Sequence, residues 1–315
     1  MPKRPLFKQF LIWRAKHISH KQFVYILSIV VGFTSGVGAV LLKNLTHFIQ
    51  HFLEGNLIQY YHQAFYFLFP ILGLVIVYFL MKYVIRHHVS HGIPSTLFAI
   101  SRSKGIMKRY QMFGSLLTAP ITVGFGGSVG LEGPTVATGA AIGSNISRWF
   151  HMNQYTRNLL VTCAAAGAMS SIFKAPIAAI VFAIEVFSLD LTLASLLPLL
   201  LASLSAIFTS YFFFGEDILL PFKIEDSFHL ADVPFYLVLG IMAAVVSIYF
   251  TEVYDRVQKL FDKIGSPFKR VLVGGSLLGL LIYFIPPLYG EGYDVINNLI
   301  VGNPEKALEH NFLNL

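Results

Sequence analysis

One carboxylate stands inside a glycine-rich break, Gly127-Ser128-Val129-Gly130-Leu131-Glu132-Gly133-Pro134. The apolar runs on either side, 113–123 and 136–146, contain no charged side chain. An ionisable residue at membrane depth is costly and by default marks function. Glycines give the backbone conformations that are closed to other residues. Pro134 suits the first turn of a new helix, where no N–H is needed. The segment therefore reads as helix, break, helix, with exposed backbone N–H groups and an acid at the break. Helix ends arranged in this way form anion sites in membrane proteins.

Other residues offer weaker chemistry. Gly126-Gly127-Ser128-Val129-Gly130 matches the nucleophile-elbow pattern of hydrolases. That elbow needs a strand before the serine, and the run 116–120 reads as membrane helix. An intramembrane hydrolase is thus a distant alternative, and no catalytic residue is expected. His87 and His91 stand four residues apart without an acid or thiol nearby, so no metal site is expected. Cys163, the one cysteine, lies in an apolar run and reads as a small core residue. No cofactor is expected.

The elements that must position the break are membrane helices. Of the 315 residues, 55% are hydrophobic and only 12% charged, with mean hydropathy +0.66. Soluble domains carry about 25% charged residues. The net charge is +7, and Lys3, Arg4, Lys8, Arg14, Lys16 and Lys21 all precede the first acid, Glu54. Basic residues beside the first span place the N-terminus in the cytoplasm. Nucleic-acid binding would not account for the apolar remainder, so no nucleic-acid partner is expected. Residues 1–22 form a basic cytoplasmic segment. A first span is predicted over 23–42, where Gly32 and Gly36 allow close helix contact. A second is predicted over 65–85, with Pro70 inside.

The piece 94–100 is too short to cross. Arg102, Lys104, Lys108 and Arg109 form a second basic loop. Helical pieces follow at 113–124 and 134–150. Those at 159–172 and 175–187 are divided by Phe173-Lys174-Ala175-Pro176. Spans at 191–214 and 235–254 are full length, and 271–285 is short. Gly290-Glu291-Gly292-Tyr293 opens another helix. Short pieces bounded by glycine and proline suggest discontinuous helices, as in transporters with internal repeats. The fold class is an all-α polytopic membrane protein.

In order and spacing, Ser90-His91-Gly92-Ile93-Pro94, the 127–134 segment and Phe173-Lys174-Ala175-Pro176 through Glu185 resemble the CLC family of chloride channels and chloride/proton antiporters. The first two are similar to the family's G-S-G-I-P and G-K/R-E-G-P signatures. Gly290 to Tyr293 is similar to a glycine-rich segment of the family's second half. The resemblance implies discontinuous, tilted helices in two inverted halves, in a homodimer with one anion pathway per subunit. On that division residues 23–214 form the first repeat, and 215–315 an incomplete start of the second. It implies an integral protein of the plasma or inner membrane, with chloride as the transported ligand and the lipid bilayer as its setting.

The resemblance also implies roles for residues. Glu132 aligns with the gating glutamate, which blocks the path when ionised and swings away when protonated. His91, Gly92, Ile93, Pro94, Gly130, Leu131, Gly133 and Pro134 would form the anion site. Neither motif contains Lys or Arg, which fits an anion bound weakly enough to leave. His91 stands where most members have serine. It either donates an N–H to chloride or faces aside, leaving the backbone to carry the site. Leu131 replaces the usual basic residue. Glu185 is a candidate proton relay or a buried structural acid. Val186 stands where antiporters commonly place a second glutamate, which points to a voltage-gated-type channel; the alternative is a chloride/proton antiporter. A fluoride exporter is a further alternative, against which Pro134 argues.

Overall fold

The computed structural model describes residues 6–53, 65–87, 89, 92–188, 192–215 and 229–301. The described residues form helices and turns with no strand. A short helix, α1 (Leu6–His17), precedes α2 (His20–Leu53). Then come α3 (Phe65–Phe79), extended by a π-helical turn over Leu80–Ile85, and α4 (Gly92–Arg102). The central helices are α5 (Gln111–Gly124), α6 (Glu132–Trp149), α7 (Gln154–Phe173), α8 (Pro176–Phe187) and α9 (Leu193–Phe214). The last are α10 (Val233–Asp262), α11 (Pro267–Phe284) and α12 (Tyr293–Ile300). Five described helices are long and apolar enough to cross a membrane.

Lengths depart from the sequence expectation at several elements, among them α10, expected at 235–254 and found at Val233–Asp262. The first span is predicted at 23–42, yet α2 runs 34 residues, about 51 Å at 1.5 Å per residue. The continuation through Lys43, Asn44, His47 and Gln50 is too polar to register as a span, although it keeps helical geometry. The piece predicted at 271–285 starts earlier, at Pro267, which occupies the first turn of α11. By contrast, α4 and α8 have 11 and 12 residues. Neither reaches across a hydrocarbon layer about 30 Å thick.

Small residues hold the centre together. A Cβ added at Gly32 would overlap the Ala202 backbone, and one at Gly36 would lie 3.0 Å from the Cα of Ala206. These two glycines let α2 lie directly on α9. On α6, a Cβ at Gly139 or Gly143 would come within 2.7 Å and 2.5 Å of the carbonyls of Ala164 and Leu160 on α7. Lipid gives helices no hydrophobic reason to associate, so close backbone approach and hydrogen bonds carry the packing. Serines supply the bonds. Ser170 on α7 donates to the Ser203 carbonyl of α9 at 3.0 Å, and Ser210 on α9 donates to Ser171 at 2.7 Å. Ser171 donates to Gly36 of α2 at 3.3 Å. Cys163 is buried in this core, as the sequence suggests.

The C-terminal end of α6 is tied down separately. Ser144 donates to the Gly105 carbonyl at 2.7 Å and accepts from the Met107 N–H at 2.9 Å. Gly105 has φ +71, a conformation that favours glycine. The basic turn between α4 and α5 is thereby fixed against α6. Elsewhere, α11 lies on α3, where a Cβ at Gly275 would come 3.0 Å from Ile71. Over the whole of α10, no residue is buried.

Gly32→Val should lower the melting temperature in detergent by roughly 5 °C or more, the effect of overpacking a tight helix contact. Gly240→Val on α10, where nothing lies within 4 Å of the added Cβ, should leave it nearly unchanged. Thermal unfolding of the two purified variants checks this.

Candidate functional site

The break between α5 and α6 is built residue by residue. Gly124 ends α5, and the Gly127 N–H closes the last turn on the Thr122 carbonyl at 2.8 Å. Gly126 has φ +90, and a Cβ there would meet the ring of Tyr289 at 2.6 Å. Glycine is therefore required on two counts, conformation and space. Ser128, Val129 and Gly130 are exposed. The residues before Ser128 are the end of α5, so the strand a nucleophile elbow needs is not there.

Leu131 turns inward. It is 3% exposed and packs with Leu42, Ala119 and Val123. Its carbonyl receives the Thr135 N–H at 3.0 Å, the first return bond of α6. Glu132 is the first residue of α6, and its carboxylate lies beside the positive end of that helix. Pro134, third in the helix, has no N–H to satisfy.

A second helix start meets the first. Gly92 opens α4 with φ +37, and a Cβ on it would lie 3.0 Å from the Cα, C and O atoms of Gly133. The starts of α4 and α6 thus touch backbone to backbone, and the missing Cβ of Gly92 permits this. Each helix start carries about half a positive charge and backbone N–H groups without helical partners. Two together can hold an anion with no cationic side chain. Ile93 packs into the main core, whereas Pro94 is exposed.

The Glu132 carboxyl is held on both sides. Its Oε1 accepts a hydrogen bond from the Tyr293 hydroxyl at 2.5 Å. Its Oε2 sits over Gly130, where a Cβ would overlap it. Tyr293 opens α12 after Gly292, whose φ is +78. Nearby, the Tyr289 hydroxyl donates to the Gly124 carbonyl at 2.9 Å.

Of the residues expected in the site, the structure brings together Gly92, Gly130, Glu132 and Gly133, with Leu131 and Pro134 on the same turn. Ser90 and His91 lie outside the described residues. Glu185 does not join the cluster. It is exposed on α8, in line with Ile177 and Val181, which are 77% and 56% exposed. Residues four apart share a helix face, and this face has no covering among the described residues. Val186 is partly buried against the main core. Sequence reasoning missed the Tyr293 contact with Glu132. The signal was a phenol at apolar depth, which needs an acceptor.

Comparison with known proteins follows the same lines. A family model described as voltage gated chloride channel matches residues 72–313. A "putative chloride channel protein ClcB-like" from Ralstonia nicotianae is 28% identical over 74% of this chain and 56% of its own length. An "H(+)/Cl(-) exchange transporter ClcA" from Vibrio cholerae is 28% identical over 89% of this chain and 62% of its own. The chain thus spans about six tenths of these relatives' length. Two solved structures share the fold. One is a slow cyanobacterial Cl−/H+ antiporter, with TM-score 0.75 and 23% identity over 87% of this chain and 67% of that one. The other is a CLC-type fluoride/proton antiporter, with TM-score 0.76 and 22% identity over 91% and 72%. With the family model covering most of its length, the chain belongs to the voltage gated chloride channel, or CLC, family.

Proposed function

We propose that this integral membrane protein exchanges chloride for protons, with Glu132 as the acid that serves both ions. The carrying observation is the place of Glu132 as the first residue of α6, next to Gly133, where the start of α6 touches the start of α4 at Gly92. An anion attracted to those helix starts competes with the carboxylate for the same positive field. When ionised, Glu132 occupies the place of the anion. When protonated, it no longer competes and can leave. The backbone around Gly92, Ile93, Pro94, Gly130, Leu131, Gly133 and Pro134 would supply the N–H groups, and His91 would add a donor beside Gly92. Leu131 contributes backbone only, since its side chain is committed to the core.

Exchange is preferred because the relatives and solved structures include proteins named for it. Chloride is preferred to fluoride because the named relatives of the sequence handle chloride. A channel is the second reading. It is favoured by Val186, which cannot carry a proton. Glu185, exposed near the end of α8, would then have no relay role. A basic N-terminal segment in the cytoplasm, repeats divided near residues 214 and 215, and a homodimer complete the reading. The uncovered Ile177, Val181 and Glu185 face of α8 is available to the second copy.

Glu132→Gln removes the titrating proton and keeps the size. Chloride flux from liposomes should lose its pH dependence, and proton movement should fall to background. A variant with the pH dependence of the native protein would overturn the role of Glu132. For the native protein, a proton gradient imposed at fixed chloride should displace the reversal potential. A reversal potential that follows chloride alone would establish the channel.

A further inference from the structure

Glu132 is the only Asp or Glu between Glu54 and Glu185, and its carboxyl accepts a hydrogen bond from a residue 161 positions further along the chain. We propose that Tyr293 is a positioning residue that latches the Glu132 carboxylate in its blocking place, so that the gate opens only when the bond between them breaks. This inference rests on the reading of Glu132 as the gate.

The geometry supports a latch in three ways. First, the Oη to Oε1 separation of 2.5 Å falls in the range of an O–H group donating to an ionised carboxylate. The bond therefore holds the carboxyl in its blocking place. Second, on its other side Oε2 occupies the space that a Cβ on Gly130 would take, so the glycine makes room for the carboxyl in this place. A swing away from the path must break the contact with Tyr293. Third, the latch is itself anchored. Pro286–Leu288 forms one short turn before Tyr289, and Gly290 and Gly292 carry the chain onward with φ +71 and +78. The Tyr289 hydroxyl binds the Gly124 carbonyl, and its ring packs over Gly126 and edge-on to Tyr66, with centroids 5.4 Å apart. Tyr289 thus grips the last residue of α5, while Tyr293 grips the first residue of α6. One turn bridges both sides of the break.

The test compares native protein, Tyr293→Phe, Glu132→Ala and the double variant, each reconstituted in liposomes and assayed for initial chloride efflux. Loss of a hydrogen bond to a charged group should free the gate, and Tyr293→Phe should speed efflux by about tenfold. In the Glu132→Ala background the same substitution should change nothing, because the latch has no other target. Tyr289→Phe, which loosens the anchor, should give a smaller increase that also requires Glu132. Infrared difference spectra give a readout apart from transport. The carboxylate band that disappears in Glu132→Gln should shift in Tyr293→Phe. An unchanged efflux and an unshifted band in Tyr293→Phe, while Glu132→Ala alters efflux, overturn the latch and leave the gate intact. An equal change in both backgrounds means Tyr293 is merely structural, which also overturns it. If Glu132→Ala itself leaves efflux unaltered, the gate fails and the latch with it. Should Tyr293→Phe not fold, the dependence of Tyr289→Phe on Glu132 decides the matter.

Discussion

A helix that ends inside an apolar layer leaves backbone N–H groups that lipid cannot satisfy. The starts of α4 and α6 carry this constraint, and much of the surrounding structure answers it. Gly92 and Gly133 bring the two starts into contact. Pro94 and Pro134 remove one donor from each first turn. Thr135 returns its N–H to Leu131. What remains is a small positive region, and the only acid of the central segment stands in it. The same unsatisfied groups that would be a defect in a continuous span have the chemistry to hold an anion.

Such a region is useful only if it stays in place. Two bare helix ends would drift if their far ends were free. Ser144 clamps the end of α6 to the turn around Gly105 and Met107. Behind it, α7 lies against Gly139 and Gly143 closely enough that a methyl group would not fit. The α2, α7 and α9 trio then ties its backbones together through Ser170, Ser171 and Ser210. These contacts use side chains too short to choose many rotamers, so the packing is dense and has little freedom. The Glu132 carboxyl is thus mounted on a closely packed frame.

Much of this was legible in the residues because glycine and proline act locally. Pro176 and Pro267 mark helix starts, and the Phe173 to Pro176 break appears where Lys174 takes φ +52. The glycine break around Glu132 was equally plain. The length of α2 was not, because its continuation past Leu42 is polar on several faces and hydropathy counts composition rather than hydrogen bonds. The exposure of Glu185 followed from its register with Ile177 and Val181, but which face of α8 is covered depends on neighbours distant in sequence. The Tyr293 contact is the extreme case. No local pattern ties a residue to one 161 positions earlier; only the path of the intervening helices does.

The uncovered state of α10 bears on how the chain reaches the membrane. Among the described residues none of α10 is buried, and its ties lie at one end, where Arg270 bonds Asp262 and Phe261 faces Gly274, so its residence in the bilayer rests mainly on partitioning. Its hydropathy is among the highest of the five spans, which is enough for insertion as an independent unit before tertiary packing begins. α6 is the opposite case: its glycines, threonines and serines make it a poor partitioner, and its place depends on partners already being there. The order of assembly is thereby written into composition, with self-sufficient helices entering first and the site-bearing helix drawn in among them.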